Sequence, residues 1–127
     1  MLKALTRSAA IALVATVAWA QAAAPATIGD TAKGKALVNS KGMTLYTFDK
    51  DAGGKSACNG PCATNWPPLT AAADAKAMGD WAIVTRDDGG KQWSYKGKPL
   101  YAWTKDTKPG DTSGDGFLNG AWHIATP

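Results

Sequence analysis

The chain has 127 residues, 45% of them hydrophobic and 19% charged, with 14 Lys and Arg against 10 Asp, no Glu and a single His. That suffices for one domain once any leader is removed, and it is too apolar for a disordered chain. The lysines are scattered singly among Asp and Gly, so the concentrated positive stripe of a nucleic-acid groove is absent.

Residues 1–20 read as a secretory leader. Lys3 and Arg7 form a short basic region, Ala9 to Val17 an uncharged apolar run, and Ala18-Trp19-Ala20 a small-residue cleavage pattern, with Ala22 and Ala24 as alternative ends. The run is shorter than the about 20 residues of a bilayer span, so stable membrane insertion after cleavage is not expected. No Cys follows the run to take a lipid. The working protein is therefore expected outside the cytoplasm, periplasmic or secreted, with a net charge of +2 after loss of the two leader cations.

Residues 21–32 carry few packing groups and read as an N-terminal linker. The single domain follows over 33–127, in two units of about 35–80 and 81–127. Lys35 to Asn39 is a strand candidate. Met43 to Phe48 alternates, with Tyr46 and Phe48 on one face and Met43 and Leu45 on the other. Thr70 to Met78 is alanine-rich, follows Pro67-Pro68 and is the one helix candidate, marginal at about two turns. Trp81 to Tyr95 is a hairpin around Asp88-Gly89-Gly90. A two-residue loop would set Val84 opposite Trp93; a three-residue loop at Asp88 to Gly90 would set Ile83 opposite Tyr95. The second is preferred because it brings Trp81, Ile83, Trp93 and Tyr95 onto one face. The expected class is mainly β, two related units packed as one small domain with at most one short helix.

The two units share a frame, G-x-x-L-Y-x-aromatic-x-K-D. Gly42, Leu45, Tyr46, Phe48, Lys50 and Asp51 recur as Gly97, Leu100, Tyr101, Trp103, Lys105 and Asp106, an offset of 55. Trp66 recurs as Trp122 at an offset of 56. Neither copy is expected to bury its apolar face alone. With Cys58/Cys62, Trp66-Pro67-Pro68-Leu69, Gln92-Trp93 and Trp122-His123, this pattern resembles a family of secreted or lipoprotein repeats marked by Tyr-x-aromatic-x-x-Asp. The resemblance implies envelope localisation and a small β-rich module, with no activity attached to it. The acylated Cys of the lipoprotein members is missing.

From the residues themselves, Tyr46, Phe48, Tyr101 and Trp103 are expected to pack across the two units, with Asp51 and Asp106 accepting backbone N–H bonds in the following turns. The alternative is an aromatic groove stacking envelope glycans on exposed Trp residues. Cys58-x3-Cys62 reads as a structural disulfide in an oxidising compartment, its turn supplied by Asn59-Gly60-Pro61. The competing reading is copper held by Cys58, Cys62 and His123, with Met43 or Met78 as a thioether. The Asp-rich loops at Asp49–Asp51 and Asp106–Asp115 fit no EF-hand, since Gly60 and Trp122 stand where Glu is required. No nucleophile elbow, phosphate loop or dinucleotide fingerprint is present. The leading expectation is a non-catalytic binding or structural module with no cofactor and an unidentified envelope partner.

Overall fold

The computed structural model describes residues 24–127; the leader reading lies outside the described residues. Among the described residues seven short strands and two short helical segments are present: β1 Thr27–Thr31, β2 Gly34–Val38, β3 Tyr46–Phe48, α1 Pro61–Asn65, β4 Trp81–Thr85, β5 Lys91–Tyr95, β6 Lys98–Pro99, α2 Phe117–Gly120 and β7 Trp122–Ile124. The chain is mainly β, as its alternation and turn residues predict. The helices are two rather than at most one. In α2, Leu118 and Asn119 sit at φ 57 and 55, so it is a bent turn and not a run of α-helix.

Strand β1 lies in the stretch read as a linker. Its only large apolar residue, Ile28, is 60% exposed, so no core signal marks it. The ladder Thr27↔Val38 through Thr31↔Gly34 holds it to β2 instead. The Thr31 hydroxyl closes the turn, accepting from the Lys33 N–H (3.1 Å) and donating to the Gly34 carbonyl (2.7 Å).

Residues Thr70–Met78 are not helical. After the two prolines, Leu69–Ala71 runs along β5 before the chain turns at Ala72–Ala75: Trp93 N–H donates to Leu69 O (2.8 Å) and Ala71 N–H to Lys91 O (2.9 Å). Tertiary pairing overrides the alanine propensity, which is weak over so short a stretch.

The hairpin forms with Trp81↔Tyr95, Ile83↔Trp93 and Thr85↔Lys91, a register that neither expected loop gives. The three-residue loop is Asp87 to Gly89. Gly89, at φ +86, takes the left-handed position, its N–H bonds Arg86 O (2.9 Å), and Arg86 N–H closes onto Gly90 O (2.8 Å). That is a type I turn ended by a bulge on the left-handed glycine. Because the shift is two positions on one strand, Trp81, Ile83, Trp93 and Tyr95 still share a face, as expected.

The two units are joined strand to strand. Tyr46 N–H donates to Tyr101 O (2.8 Å) and Tyr101 N–H to Tyr46 O (3.0 Å). The segment after each shared Trp then crosses to the other unit. Ala125 N–H reaches Leu45 O, while Leu37 N–H reaches Ala125 O, both at 2.8 Å. In the other half Leu69 N–H reaches Leu100 O (2.9 Å) and Trp93 N–H reaches Leu69 O (2.8 Å). Leu37, Leu45 and Ala125 thus make the same triangle as Trp93, Leu100 and Leu69. Each unit supplies the closing strand of its partner, which is why neither could bury its apolar face alone.

Strand alternation sorts the core into two layers. Leu45 and Leu100 face a cluster with Leu37, Trp81, Trp93 and Ala125. Tyr46, Phe48, Tyr101 and Trp103 face the other, with Trp66, Trp122 and Cys58.

Candidate functional site

All six motif side chains converge in the second layer, at the seam between the units. Tyr46 and Tyr101 are fully buried, Phe48 and Trp103 nearly so. Four rings stack in the order Phe48, Trp122, Trp66, Trp103. Centroids are 4.1 Å apart in the first pair, 3.7 Å in the second and 3.9 Å in the third, so the rings of the two units alternate. Each tyrosine meets the shared Trp of its own unit edge-on, Tyr46 to Trp66 at 5.3 Å and Tyr101 to Trp122 at 5.1 Å. Offset-stacked and edge-to-face pairs are the favoured geometries for aromatic quadrupoles.

The carboxylates are exchanged between units. The Tyr46 hydroxyl donates to Asp106 Oδ2 (2.6 Å) and the Tyr101 hydroxyl to Asp51 Oδ2 (2.7 Å). The second oxygen of each Asp does what the sequence predicts and ties its own loop: Asp51 Oδ1 accepts Ala57 N–H (2.7 Å), and Asp106 Oδ1 accepts Ser113 N–H (3.0 Å) and the Ser113 hydroxyl (2.6 Å). Burial, reinforced by the neighbouring carboxylate, pushes both phenols well above the ordinary tyrosine value. Burial also raises the Asp51 carboxyl, outweighing the Ala57 N–H, the Tyr101 hydroxyl and the Arg86 charge.

One half of the seam carries an added network that motif reading misses. Arg86, 4% exposed, donates to Gln92 Oε1 (2.7 Å), Cys58 O (2.6 Å) and Ser56 Oγ (3.0 Å), and Ser56 Oγ lies 2.7 Å from the Tyr101 hydroxyl. Its Nε is 3.5 Å from the exposed Asp88 carboxylate, an ion pair without hydrogen-bond geometry. The usable signal was that Arg86 is the single arginine beyond Arg7, where every other cation is Lys. A buried cation with three acceptors favours the planar guanidinium fork.

Cys58 and Cys62 are joined, with Cα atoms 5.2 Å apart. Gly60 at φ 56 and Pro61 at the start of α1 make the turn. His123 lies apart from this bridge. It is exposed on β7, with Nε2 2.8 Å from Asp49 Oδ2. Met78 packs against the other core layer. Among the described residues no three His, Cys or Asp side chains gather as a ligand set for a metal ion, so the Cys58, Cys62 and His123 grouping is not assembled. The aromatic groove is not formed either: Trp66, Trp81, Trp93, Trp103 and Trp122 are each 9% exposed or less. The Asp-rich loops are turns. Asp111 Oδ2 accepts Thr107 and Lys108 N–H, which hold its carboxyl below the usual range, and Asp115 accepts Ile124 N–H (3.1 Å) and pairs with Lys33 (3.0 Å).

A mainly β domain of two repeats, closed by exchanged strands and sealed by one aromatic stack, defines the class of protein. Residues 27–70 and 82–126 each match a family described as a secreted repeat of unknown function, and the chain belongs to that family. No curated protein and no solved structure matches it. Among the described residues no helix is long and apolar enough to cross a membrane.

Proposed function

We propose that this chain is a non-catalytic binding module of the bacterial-type cell envelope, working in the periplasm or at the cell surface. The observation that carries this reading is the mutual engagement of the motif. The phenols and carboxylates of Tyr46, Tyr101, Asp51 and Asp106 are spent on one another across the seam, and all but the half-buried Asp51 are buried with their aromatic neighbours. Groups in that state are architecture, holding two repeats in a fixed relation. Nucleophilic or acid–base chemistry needs such groups at a cleft and within reach of a substrate atom. The copper alternative has little support, because a thiolate ligand must be free and both cysteines are bonded to each other. The glycan alternative lacks an outward Trp platform.

The test is cosedimentation of the purified, disulfide-bonded domain with isolated envelope preparations, peptidoglycan and membrane vesicles separately, with soluble products assayed alongside. Retention on one of these without product release is expected, unchanged in a folded Tyr101→Phe variant. Release of product, or retention on neither, would overturn the reading.

A further inference from the structure

Resting on the reading of a binding module, we infer that its ligand site is the cleft on the outer face of β3 and β7, and that this cleft binds an oxyanion, a phosphate or carboxylate group.

Alternation puts Tyr46 and Phe48 into the core, so Thr47 between them points outward, directly opposite His123 in the β3–β7 register. The cleft they open has a volume of about 450 Å³ and is lined also by Tyr95, Lys96, Lys98 and Asp115.

The fold does not require this chemistry. The duplicated architecture places Ala102 where Thr47 stands, Pro67 where His123 stands and Thr104 where Asp49 stands. The equivalence is exact in the hydrogen bonds: Thr104 N–H donates to Asn65 O as Asp49 N–H donates to Ala121 O. One face of a near-symmetric molecule is therefore furnished with a hydroxyl and an imidazole while the matching face carries a methyl and a proline. The single histidine of the chain is among those additions.

Charge at the cleft is donor-rich once pairs are cancelled. Asp115 is occupied by Lys33 and by Ile124 N–H, and Asp49 by His123. Lys96 and Lys98 form no ion pair among the described residues, and both are exposed. With the His123 Nε2 already engaged by Asp49, the unspent groups are two ammonium donors and the Thr47 hydroxyl, which match a group made of acceptor oxygens.

Backbone strain marks the same place. Lys96 and Gly97 form the two-residue loop between β5 and β6, with φ 51 and 83. Asn, Asp or Gly is the low-cost choice at the first of these positions, and a lysine there is strained. Held there, the Lys96 ammonium stands 5.2 Å from the centre of the Tyr95 ring, on the wall of the cleft. A strained residue that contributes a charge to a cleft is the pattern of a site kept for binding.

The single histidine gives a direct readout, since its ring protons are one set of NMR signals. Inorganic phosphate is titrated into the full domain, with chloride at matched ionic strength as the control. A saturable shift of the His123 signals is expected with phosphate and not with chloride. The apparent Kd should rise about tenfold in Lys98→Gln and in Lys96→Gln, both exposed positions whose near-UV spectra report an unchanged fold. A shift that is linear, equal in chloride, or untouched by both substitutions overturns the proposal, and does so without bearing on the cosedimentation result. Vesicles of phosphatidylglycerol, compared with phosphatidylcholine, separate the sources. Broadening by the anionic vesicles alone assigns a lipid headgroup, and a phosphate shift without broadening assigns a soluble ligand.

Discussion

Trp66 and Trp122 hold equivalent places in the two repeats, and their rings lie 3.7 Å apart with planes within 2° of parallel. The pair sits at the middle of the four-ring stack, so the approximate symmetry of the molecule passes between them. Gly114 lies against the edge of this stack. A Cβ on it would come within 2.6 Å of the Trp66 ring and 3.0 Å of Trp103. Gly114→Ala should therefore destabilise the domain by about 1–3 kcal/mol, the usual cost of overpacking a close-packed core. Chemical denaturation monitored by Trp fluorescence measures it, and a change within 0.5 kcal/mol would show that the rings shift freely.

The crossed Tyr–Asp bonds differ in their surroundings. Asp106 is 7% exposed, whereas Asp51 is only half-buried. Tyr46→Phe leaves a buried carboxylate oxygen without its phenol and should cost about 1.5–3 kcal/mol. Tyr101→Phe should cost less, because water can reach Asp51. A double-mutant cycle of Tyr46→Phe with Asp106→Asn should return a clear coupling energy. Additive losses would mean that the bond contributes nothing specific.

Alkaline pH attacks the same bonds. Both phenols titrate well above the 10.0 of an unfolded tyrosine. The sign follows: below about pH 10 both states are protonated and the full stability is present; above it the unfolded chain releases protons that the folded chain keeps. Stability should fall by about 1.4 kcal/mol per pH unit for each tyrosine. The phenolate absorbance of Tyr46 and Tyr101 should appear together with loss of the near-UV signal. Their ionisation in a still-folded protein would contradict the buried bonds.

The Cys58–Cys62 bridge spans a very short loop, so chain entropy assigns it only about 2 kcal/mol. A Cys58→Ser/Cys62→Ser variant should fold, with its stability lowered by about that amount, since Arg86 still grips the Cys58 carbonyl. A denaturant titration decides. Complete unfolding would reveal a larger role for this clamp.

Much of this arrangement is legible from residue spacing. The i, i+2 aromatics at Tyr46/Phe48 and Tyr101/Trp103 gave the inward face, and the 55-residue offset gave the duplication. Two kinds of feature are not carried by local pattern. Strand β1 is held by its ladder to β2, and Leu69–Ala71 by backbone bonds to the distant β5; neither leaves a periodic trace in its own residues. The exchange of Asp51 and Asp106 between tyrosines is likewise a matter of which unit's loop lies over which ring. Spacing within one unit is the same whether its Asp serves its own tyrosine or the other. The hairpin register turned on one detail, that Gly89 rather than Gly90 takes the left-handed position.

The crossing of Trp122–Ala125 into the first repeat has a consequence for how the chain is made. A leading unit whose third strand is encoded late in the chain must wait, incomplete, while the rest is synthesised. Removing the last few residues should thus injure the beginning of the molecule more than its end. The first repeat is closed only when that short stretch has docked between Leu37 and Leu45.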